Sequence, residues 1–275
     1  MLQAYTYTKW DACGNTTLFF EKGTDISSAK IVRAQSQREL CAEQTAFVSA
    51  KDLTMRMAGG ELCVNATRSF GAYLAHKAYQ QGVREEKQKF TVNVSGWFRP
   101  VELTVKGGEG PEWNVLLTMK QRFCGVENLG RNGLILRIPG IRMQVIDEAL
   151  AGRVEDTCTD IKARAMELIR ERNMDEEPAC GVVWCRKVDK IWHIRPVIYV
   201  KALDTLYEEQ ACGSASVAVA LARWYYRENM EQIVQQPSGE RLKVNLYFSK
   251  ISNGPRMRIR ITGPVRLVSE GTWYA

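Results

Sequence analysis

The sequence feature that most constrains this chain is a short unit that occurs twice. In each copy a Cys is followed by two residues, an Ala, a hydroxyl residue and an apolar run, and the copies begin at Cys63 and Cys212. The spacing of the apolar residues after each Cys predicts a helix. Each predicted helix is followed by a turn, Ser95-Gly96 in the first half and Ser238-Gly239 in the second. The repeat therefore predicts two similar halves, each with a Cys at the start of a helix.

Strand-like segments surround both copies of this unit. Short apolar or alternating runs predict strands at 46–48, 53–57 and 101–105 in the first half and at 181–184, 191–200 and 244–248 in the second. Further helical content is predicted at 161–171 and from Thr205 onward. A Gly-rich loop at 106–111 precedes a domain boundary that we place near residue 120. The sequence thus predicts an α/β (α+β) chain of two domains.

Cysteine usage predicts neither a disulfide framework nor a metal site. A chain of 275 residues without a signal-peptide pattern does not need disulfides to fold. The closest pair, Cys180 and Cys185, has no His76 or His193 at zinc-binding spacing. Most thiols are expected to be small buried apolar groups, apart from the two in the repeat. The cysteines are Cys13, Cys41, Cys63, Cys124, Cys158, Cys180, Cys185 and Cys212.

Charge and composition narrow the classes of partner. The formal net charge is +7, but Lys and Arg are scattered, and their densest stretch, 162–172, interleaves them with Glu and apolar residues. That pattern is typical of a solvated helix face, so we do not expect nucleic-acid binding. No run is apolar and long enough for a membrane helix, and residues 1–10 lack an export pattern. We therefore expect a cytoplasmic protein whose partner is a small molecule.

A Cys at a helix start suits proton transfer at carbon. The helix N-terminus favours a thiolate over a thiol through its unpaired N–H groups and dipole. The residues after each Cys, Val64-Asn65 and Gly213-Ser214, are expected to present further N–H groups to a carboxylate and its enolate-like charge. If Cys63 and Cys212 faced one carbon, one could remove a proton while the other delivered one. This predicts a two-base racemase without a cofactor; the alternative is that each Cys only packs the first turn of a buried helix.

Several fragments, in one order and spacing, resemble a known family. They are Thr8-Lys9-Trp10-Asp11-Ala12-Cys13-Gly14-Asn15, Gln44, Cys63-Val64-Asn65-Ala66-Thr67-Arg68, Ala211-Cys212-Gly213-Ser214, Ile261-Thr262-Gly263-Pro264-Val265 and Glu270-Gly271. Along nearly its whole length the chain is similar to the diaminopimelate epimerase superfamily. The resemblance implies two pseudo-symmetric domains, each a curved mixed sheet wrapped around a central helix, with the active site in the cleft between them. It also implies that the chain returns to the first domain, giving domains 1–119 with 262–275 and 120–261.

The chain departs from true diaminopimelate epimerases where those enzymes bind the distal end of the substrate. Their segment before the second Cys contains an Arg that grips the distal carboxylate, whereas residues 203–210 contain no Arg. Gly140-Ile141-Arg142 stands where the family has Gly-Asn-Pro. A site without these partners is expected to recognise a distal amino-carboxylate poorly.

Within the superfamily the chain is most similar to the cofactor-independent histidine racemases that supply D-histidine for opine-type metallophores. The fragments that carry this likeness are Cys41-Ala42-Glu43-Gln44, residues 60–67, residues 196–214 and Gln236-Pro237-Ser238-Gly239. The resemblance implies that Asn15, Glu43, Gln44 and Glu209 contact the substrate. Glu43 could accept a hydrogen bond from an imidazole or ammonium group, or it could be a salt-bridged surface residue. Histidine is therefore the leading substrate.

Other interpretations stay open at this level. The nearest is a diaminopimelate epimerase or a racemase of another amino acid with the same fold, and a second is a non-catalytic amino-acid-binding protein. Val64 stands where the relatives usually have Gly, so either the turn accommodates a β-branched residue or the carboxylate cradle differs. The sequence does not decide between a monomer and a homodimer.

Overall fold

The structure, a computed structural model, describes residues 2–107, 110–122, 125–138, 140–249 and 256–275. Cys124 and part of the predicted loop at 106–111 lie outside the described residues. The chain divides into two compact units. The first unit contains residues 1–117 and 262–275, and the second unit contains residues 118–261.

Within these described ranges, sixteen strands and six α-helices make a mixed α/β chain with few helices. The helices are α1 (Ser28–Gln35), α2 (Val64–Gln80), α3 (Glu148–Ala151), α4 (Val154–Thr157), α5 (Ile161–Glu171) and α6 (Gly213–Tyr225). The strands are β1 (Ala4–Ala12), β2 (Asn15–Glu21), β3 (Gln44–Ser49), β4 (Thr54–Met57), β5 (Lys87–Val94), β6 (Val101–Lys106), β7 (Glu112–Arg122), β8 (Val126–Asn128), β9 (Leu134–Ile138), β10 (Ile141–Asp147), β11 (Ala179–Val188), β12 (Ile191–Val200), β13 (Thr205–Glu208), β14 (Glu231–Gln235), β15 (Arg241–Ser249) and β16 (Arg256–Tyr274).

The sheet of the first unit closes on itself. Its strands follow the order β1-β2-β3-β4-β5-β6-β7-β16, and β1 also pairs with β16, antiparallel, with Ala4 opposite Tyr274. Most pairs are antiparallel, but β2 pairs with β3 in parallel, with Thr17 opposite Gln44. A closed sheet leaves no exposed edge strand and can surround a helix.

Helix α2 occupies the interior of this unit. It packs against β1, β2, β3, β5 and β6, and every residue from Val64 to Ala75 is buried. An aromatic cluster lines its path, in which Phe70 stacks on Tyr73 with ring centroids 6.0 Å apart. A helix that is buried on all faces needs mainly apolar or small residues, and the run after Cys63 supplies them except at Asn65 and Arg68, whose side chains hydrogen-bond to each other.

The second unit also has a sheet packed against a buried helix. Its strands follow the order β15-β14-β12-β11-β10-β9-β8, and β13 pairs with β12. Helix α6 packs against β9, β10, β11, β12, β14 and β15, and its residues from Gly213 to Arg223 are all buried. The charged face of α5 points to solvent while Ala165, Leu168 and Ile169 are buried, as the interleaved charges at 162–172 predict.

The predicted strands and turns of both halves are confirmed, but one helix prediction is wrong. The segment that begins at Thr205 is not helical: Thr205–Glu208 forms β13, which pairs antiparallel with β12 from Val200 to Val197. The helix starts only at Gly213. Thr-Leu-Tyr-Glu is a short alternating stretch rich in strand-forming residues, and pairing with a long neighbouring strand decides its conformation.

No α-helix in the part of the chain that the structure describes is both long and apolar enough to cross a bilayer.

Candidate active site

Cys63 is the N-cap residue of α2, as the repeat predicts. Its backbone is extended, with φ −113° and ψ 113°, and its sulfur accepts a hydrogen bond from the N–H of Ala66 at 3.3 Å. The hydroxyl of Thr67 donates to the carbonyl of Cys63 at 2.6 Å. The side chain is only 9% exposed. The sulfur therefore lies at the positive end of a buried helix, where a thiolate is stabilised.

Cys212 has the same local geometry at the start of α6. Its φ and ψ are −132° and 107°, and its sulfur accepts from the N–H of Ala215 at 3.4 Å. The hydroxyl of Ser216 donates to the carbonyl of Cys212 at 2.8 Å. The side chain is 3% exposed. The Ala and hydroxyl residues that define the repeat in sequence are thus the residues that contact each Cys.

Val64 is compatible with this helix start. It is the first residue of α2, and its φ is not positive. A β-branched residue can therefore adopt this backbone conformation without strain. The first four N–H groups of a helix have no acceptor within the helix. Val64 and Asn65 in the first unit, and Gly213 and Ser214 in the second, occupy these positions. Each pair can present N–H groups to an anion.

The predicted catalytic Cys63 and three predicted contact residues of the first unit form two hydrogen-bonded pairs. The thiol of Cys63 donates to Gln44 Oε1 at 2.8 Å, and Asn15 Nδ2 donates to Glu43 Oε2 at 2.7 Å. The parallel pairing of β2 with β3 explains this arrangement, since Asn15 begins β2 and Gln44 begins β3. The starts of these two strands therefore bring the polar side chains close together, next to the largely buried thiol of Cys63.

Glu209 is the predicted contact of the second unit that lies outside α6. It follows β13, its backbone N–H donates to the carbonyl of Pro196 at 3.1 Å, and its side chain is buried, with 8% exposed. Ser214 is 7% exposed. The Glu209 carboxyl is thus buried three residues before Cys212 in the chain.

Two buried residues beside the thiols were not predicted as site residues. Arg68 is fully buried and donates to Asn65 Oδ1 at 3.2 Å and to the carbonyl of Pro264 at 2.7 Å. Gln236 accepts from the N–H of Cys212 at 2.9 Å. Both residues have mainly polar neighbours in sequence, Thr67 and Ser69 beside Arg68 and Gln235 and Ser238 near Gln236, so the sequence gives no signal of their burial.

The Ser-Gly turn of the first unit supports the loop before Cys63. Ser95 Oγ accepts from the N–H of Met57 at 2.9 Å and donates to the carbonyl of Glu61 at 2.9 Å. Gly96 has φ +69°, and a Cβ there would collide with the backbone of Leu62. In the second unit the N–H of Ser238 donates to the carbonyl of Gln210 at 3.0 Å. The turn that recurs in sequence therefore recurs in its role.

Glu61 is a half-buried acid in that same loop. Burial raises the pKa of its carboxyl above the ordinary value. Among the residues that the structure describes, none forms a hydrogen bond with its Oε2 atom. The neutral form of this side chain is therefore favoured relative to a solvated Glu.

Two other buried cysteines, Cys180 and Cys185, lie in β11. Burial raises the pKa of Cys180 and of Cys185 to about 12 each, so both remain thiols and are poor nucleophiles. No disulfide links the seven cysteines that the structure describes. Within the described ranges no group of three or more His, Cys, Asp or Glu side chains is arranged to hold a metal ion.

The match to one family model identifies the family to which the chain belongs. Residues 5–274 match the model described as the histidine racemase CntK N-terminal domain. The chain belongs to this histidine racemase family. It is accordingly an isomerase of the racemase and epimerase class.

Relatives in this family match over almost their full length. A histidine racemase of Fusobacterium nucleatum subsp. nucleatum is 25% identical over 279 residues, covering 99% of this chain and 98% of the relative. A histidine racemase of Staphylococcus aureus is 23% identical over 287 residues, covering 99% and 98%. The matches extend over nearly the full length of each relative, so the relatives share the fold of this chain.

Solved structures share the fold of the family member described here. A hydroxyproline epimerase from Agrobacterium vitis with bound trans-4-hydroxy-L-proline has a TM-score of 0.70 at 9% identity, covering 99% of this chain and 92% of that one. An epimerase from Pseudomonas aeruginosa, described as predicted, has a TM-score of 0.64 at 14% identity, covering 98% and 99%.

Proposed function

We propose that this family member is a cofactor-independent amino-acid racemase that interconverts L- and D-histidine with the thiols of Cys63 and Cys212. The observation that carries the proposal is the duplicated helix start. Each sulfur accepts a hydrogen bond from the N–H of the third helical residue, at 3.3 Å for Cys63 and 3.4 Å for Cys212. Such contacts stabilise a thiolate, which is the form of Cys that can act as a base.

The proposed reaction is a proton transfer at one carbon. One Cys, as thiolate, takes the α-proton, so that the C–H bond breaks, an S–H bond forms and the electron pair moves into the carboxylate as enolate-like charge. The other Cys, as thiol, gives its proton to the opposite face of the carbon and becomes the thiolate. The reverse reaction uses the same groups in exchanged roles. Atoms and charge balance without any further reagent.

The first turns of the two helices would stabilise the charge that develops. Their N–H groups, at Val64 and Asn65 and at Gly213 and Ser214, can donate to the substrate carboxylate and strengthen as it gains electron density. For both thiols to act on one carbon, the substrate has to lie in a cleft between two domains, as the family resemblance implies. Closure of that cleft would exclude water from the carbanion-like intermediate.

The remaining polar residues would recognise the amino acid. Asn15 Oδ1 is buried, and no described residue hydrogen-bonds to it, so it can accept from a substrate ammonium group. Glu43, held by Asn15 at 2.7 Å, is a candidate acceptor for an imidazole N–H. Glu209 supplies a second carboxyl, which is buried. Two carboxyls suit a substrate with a cationic or N–H-bearing side chain, which favours histidine over a small apolar amino acid.

The test is incubation of the purified protein with separate L-amino acids, including histidine, alanine and diaminopimelate, in deuterated water. Chiral chromatography with mass analysis then reports enantiomer and α-deuterium together. We expect D-histidine to form fastest and to carry one deuterium, while L-histidine recovered at early times stays largely unlabelled, because separate groups remove and deliver the proton. Faster turnover of diaminopimelate would assign the rival substrate, and binding without exchange would contradict catalysis.

A further inference from the structure

Gln236 forms a closed set of hydrogen bonds behind Cys212. Its Oε1 accepts from the N–H of Cys212 at 2.9 Å, and its Nε2 donates to Ser216 Oγ at 3.0 Å and to the carbonyl of Val234 at 3.1 Å. The side chain is 2% exposed. Both polar atoms of this side-chain amide are therefore hydrogen-bonded within the protein, and burial shields these bonds from water.

These bonds reach both backbone groups of Cys212. The N–H contacts Gln236 directly. The carbonyl accepts from the Ser216 hydroxyl at 2.8 Å, and that hydroxyl in turn accepts from Gln236 Nε2. The two donor bonds from Nε2 also fix which end of the amide faces Cys212, because an amide turned around would place its oxygen against the carbonyl of Val234. Gln236 thus clamps Cys212 at its N–H directly and at its carbonyl through the Ser216 hydroxyl, while the Ser216 N–H also donates to that carbonyl at 3.0 Å.

Helix α6 lacks the usual means of holding its own N-cap. In a capping box the side chain of the third helical residue accepts a hydrogen bond from the N–H of the N-cap residue. That position in α6 is Ala215, whose side chain has no acceptor. Gln236, which follows β14, supplies the missing acceptor from another element of the fold. The orientation of the Cys212 thiol therefore depends on Gln236, which is distant from it in sequence.

We infer that Gln236 is a positioning residue that orients the Cys212 thiol for proton transfer. The inference rests on the proposed function, and it adds a residue to that mechanism. General acid–base catalysis depends strongly on the placement of the reacting group, and a displacement of about 1 Å can lower a rate by about 100-fold. A residue that holds the Cys212 backbone from both sides should therefore influence kcat without touching the substrate.

The test combines racemisation kinetics with site-resolved alkylation. In the full-length protein, Gln236→Met keeps a similar size and removes every hydrogen bond of the amide. We expect kcat for histidine to fall about 10- to 100-fold, with KM changed less than about threefold. Alkylation by iodoacetamide, followed by peptide mass spectrometry across a pH series, should show the Cys212 profile moved to higher pH. Cys63 in the same sample should be unaffected.

Two matched variants separate positioning from general destabilisation. Gln232→Met makes the same change earlier on β14, where the amide donates to the carbonyl of Asn229 and to no other described residue, and it should leave both alkylation profiles as in the wild type. Ser216→Ala removes only the hydroxyl between Gln236 and the Cys212 carbonyl and favours the helix. It should shift the pH profile of Cys212 alkylation in the same direction but by less. It also provides the test if Gln236→Met does not fold.

The outcomes distinguish this inference from the proposed function. An unchanged Cys212 profile together with unchanged kcat in both Gln236→Met and Ser216→Ala would overturn the positioning role, even if the wild type racemises histidine. Equal shifts at Cys63 and Cys212 would also overturn it, because they would indicate a global effect. If the wild type shows no racemisation while Gln236→Met still shifts Cys212 alone, the clamp stands and the proposed reaction fails.

Discussion

Cys63 and Cys212 cap helices whose third residue is Ala and whose fourth is a hydroxyl residue, and both sulfurs accept from the third N–H. The glutamine beside each Cys acts differently. Gln44 contacts the sulfur of Cys63 itself at 2.8 Å, whereas Gln236 contacts the backbone of Cys212 at 2.9 Å. The two units therefore share the backbone arrangement at the helix start, in which the N-cap sulfur accepts from the third helical N–H. The side chains around each sulfur can then tune the two thiols separately.

Each central helix also contains one buried arginine, at opposite ends. Arg68 lies in the first turns of α2 and holds Asn65 next to Cys63. Arg223 lies in the last turn of α6, pairs with Asp147 at 2.8 Å and is 4.2 Å from the ring centroid of Trp192. We therefore expect the first arginine to affect the site and the second to affect only the stability of its unit.

The largest expected effect concerns the thiols. Cys63→Ser and Cys212→Ser should each lower the rate of histidine racemisation by about 1,000-fold, because a hydroxyl is a far weaker acid than a thiol and its anion is not populated at neutral pH. Chiral chromatography measures the rate, and Cys41→Ser, at an exposed cysteine, is the control. A wild-type rate in either site variant would remove that thiol from the mechanism and with it the equivalence of the two units.

Replacing the arginines should separate stability from activity. Arg223→Met leaves the Asp147 carboxylate buried without its partner and should lower the free energy of unfolding by about 3–5 kcal/mol, with kcat of the folded protein retained. Arg68→Met leaves neutral acceptors unsatisfied and should cost about 1–3 kcal/mol while also lowering kcat. Denaturant unfolding and racemisation assays measure both. Loss of kcat in Arg223→Met with none in Arg68→Met would contradict the assignment.

Glu43 tests the side-chain recognition that distinguishes the first unit. Glu43→Gln should raise KM for histidine by about tenfold, because a hydrogen bond to a charged acceptor becomes one to a neutral acceptor. KM for alanine, if alanine is turned over, should change much less. An equal change for both substrates would show that Glu43 does not contact the imidazole.

Glu61 should give the smallest effect, and it depends on pH. Burial raises the folded-state pKa of this carboxyl, so the stability that its neutral form contributes is present below the unfolded pKa and is lost as pH rises through the folded pKa. Glu61→Gln should therefore raise Tm at about pH 8 and change it little at about pH 3, on either side of the Glu titration range. An equal Tm change at both pH values would contradict the burial effect.

Much of the site geometry could be predicted because it is local. The Cys, Ala and hydroxyl residues of the repeat lie within one helical turn, and their spacing alone placed the starts of α2 and α6 correctly. Contacts from other elements could not be predicted in this way. The bond from the Cys212 N–H to Gln236 depends on where β14 ends, and the conformation of Thr205–Glu208 depends on pairing with β12.

The most direct test of the two-thiol account is a crystal structure of the Cys63→Ser variant with histidine bound. The account predicts that the hydroxyl oxygen introduced by this substitution and the Cys212 sulfur lie about 3–4 Å from the substrate Cα, on opposite faces of the carbon. A bound histidine whose Cα is out of reach of either atom, or is approached by both from the same face, would contradict it.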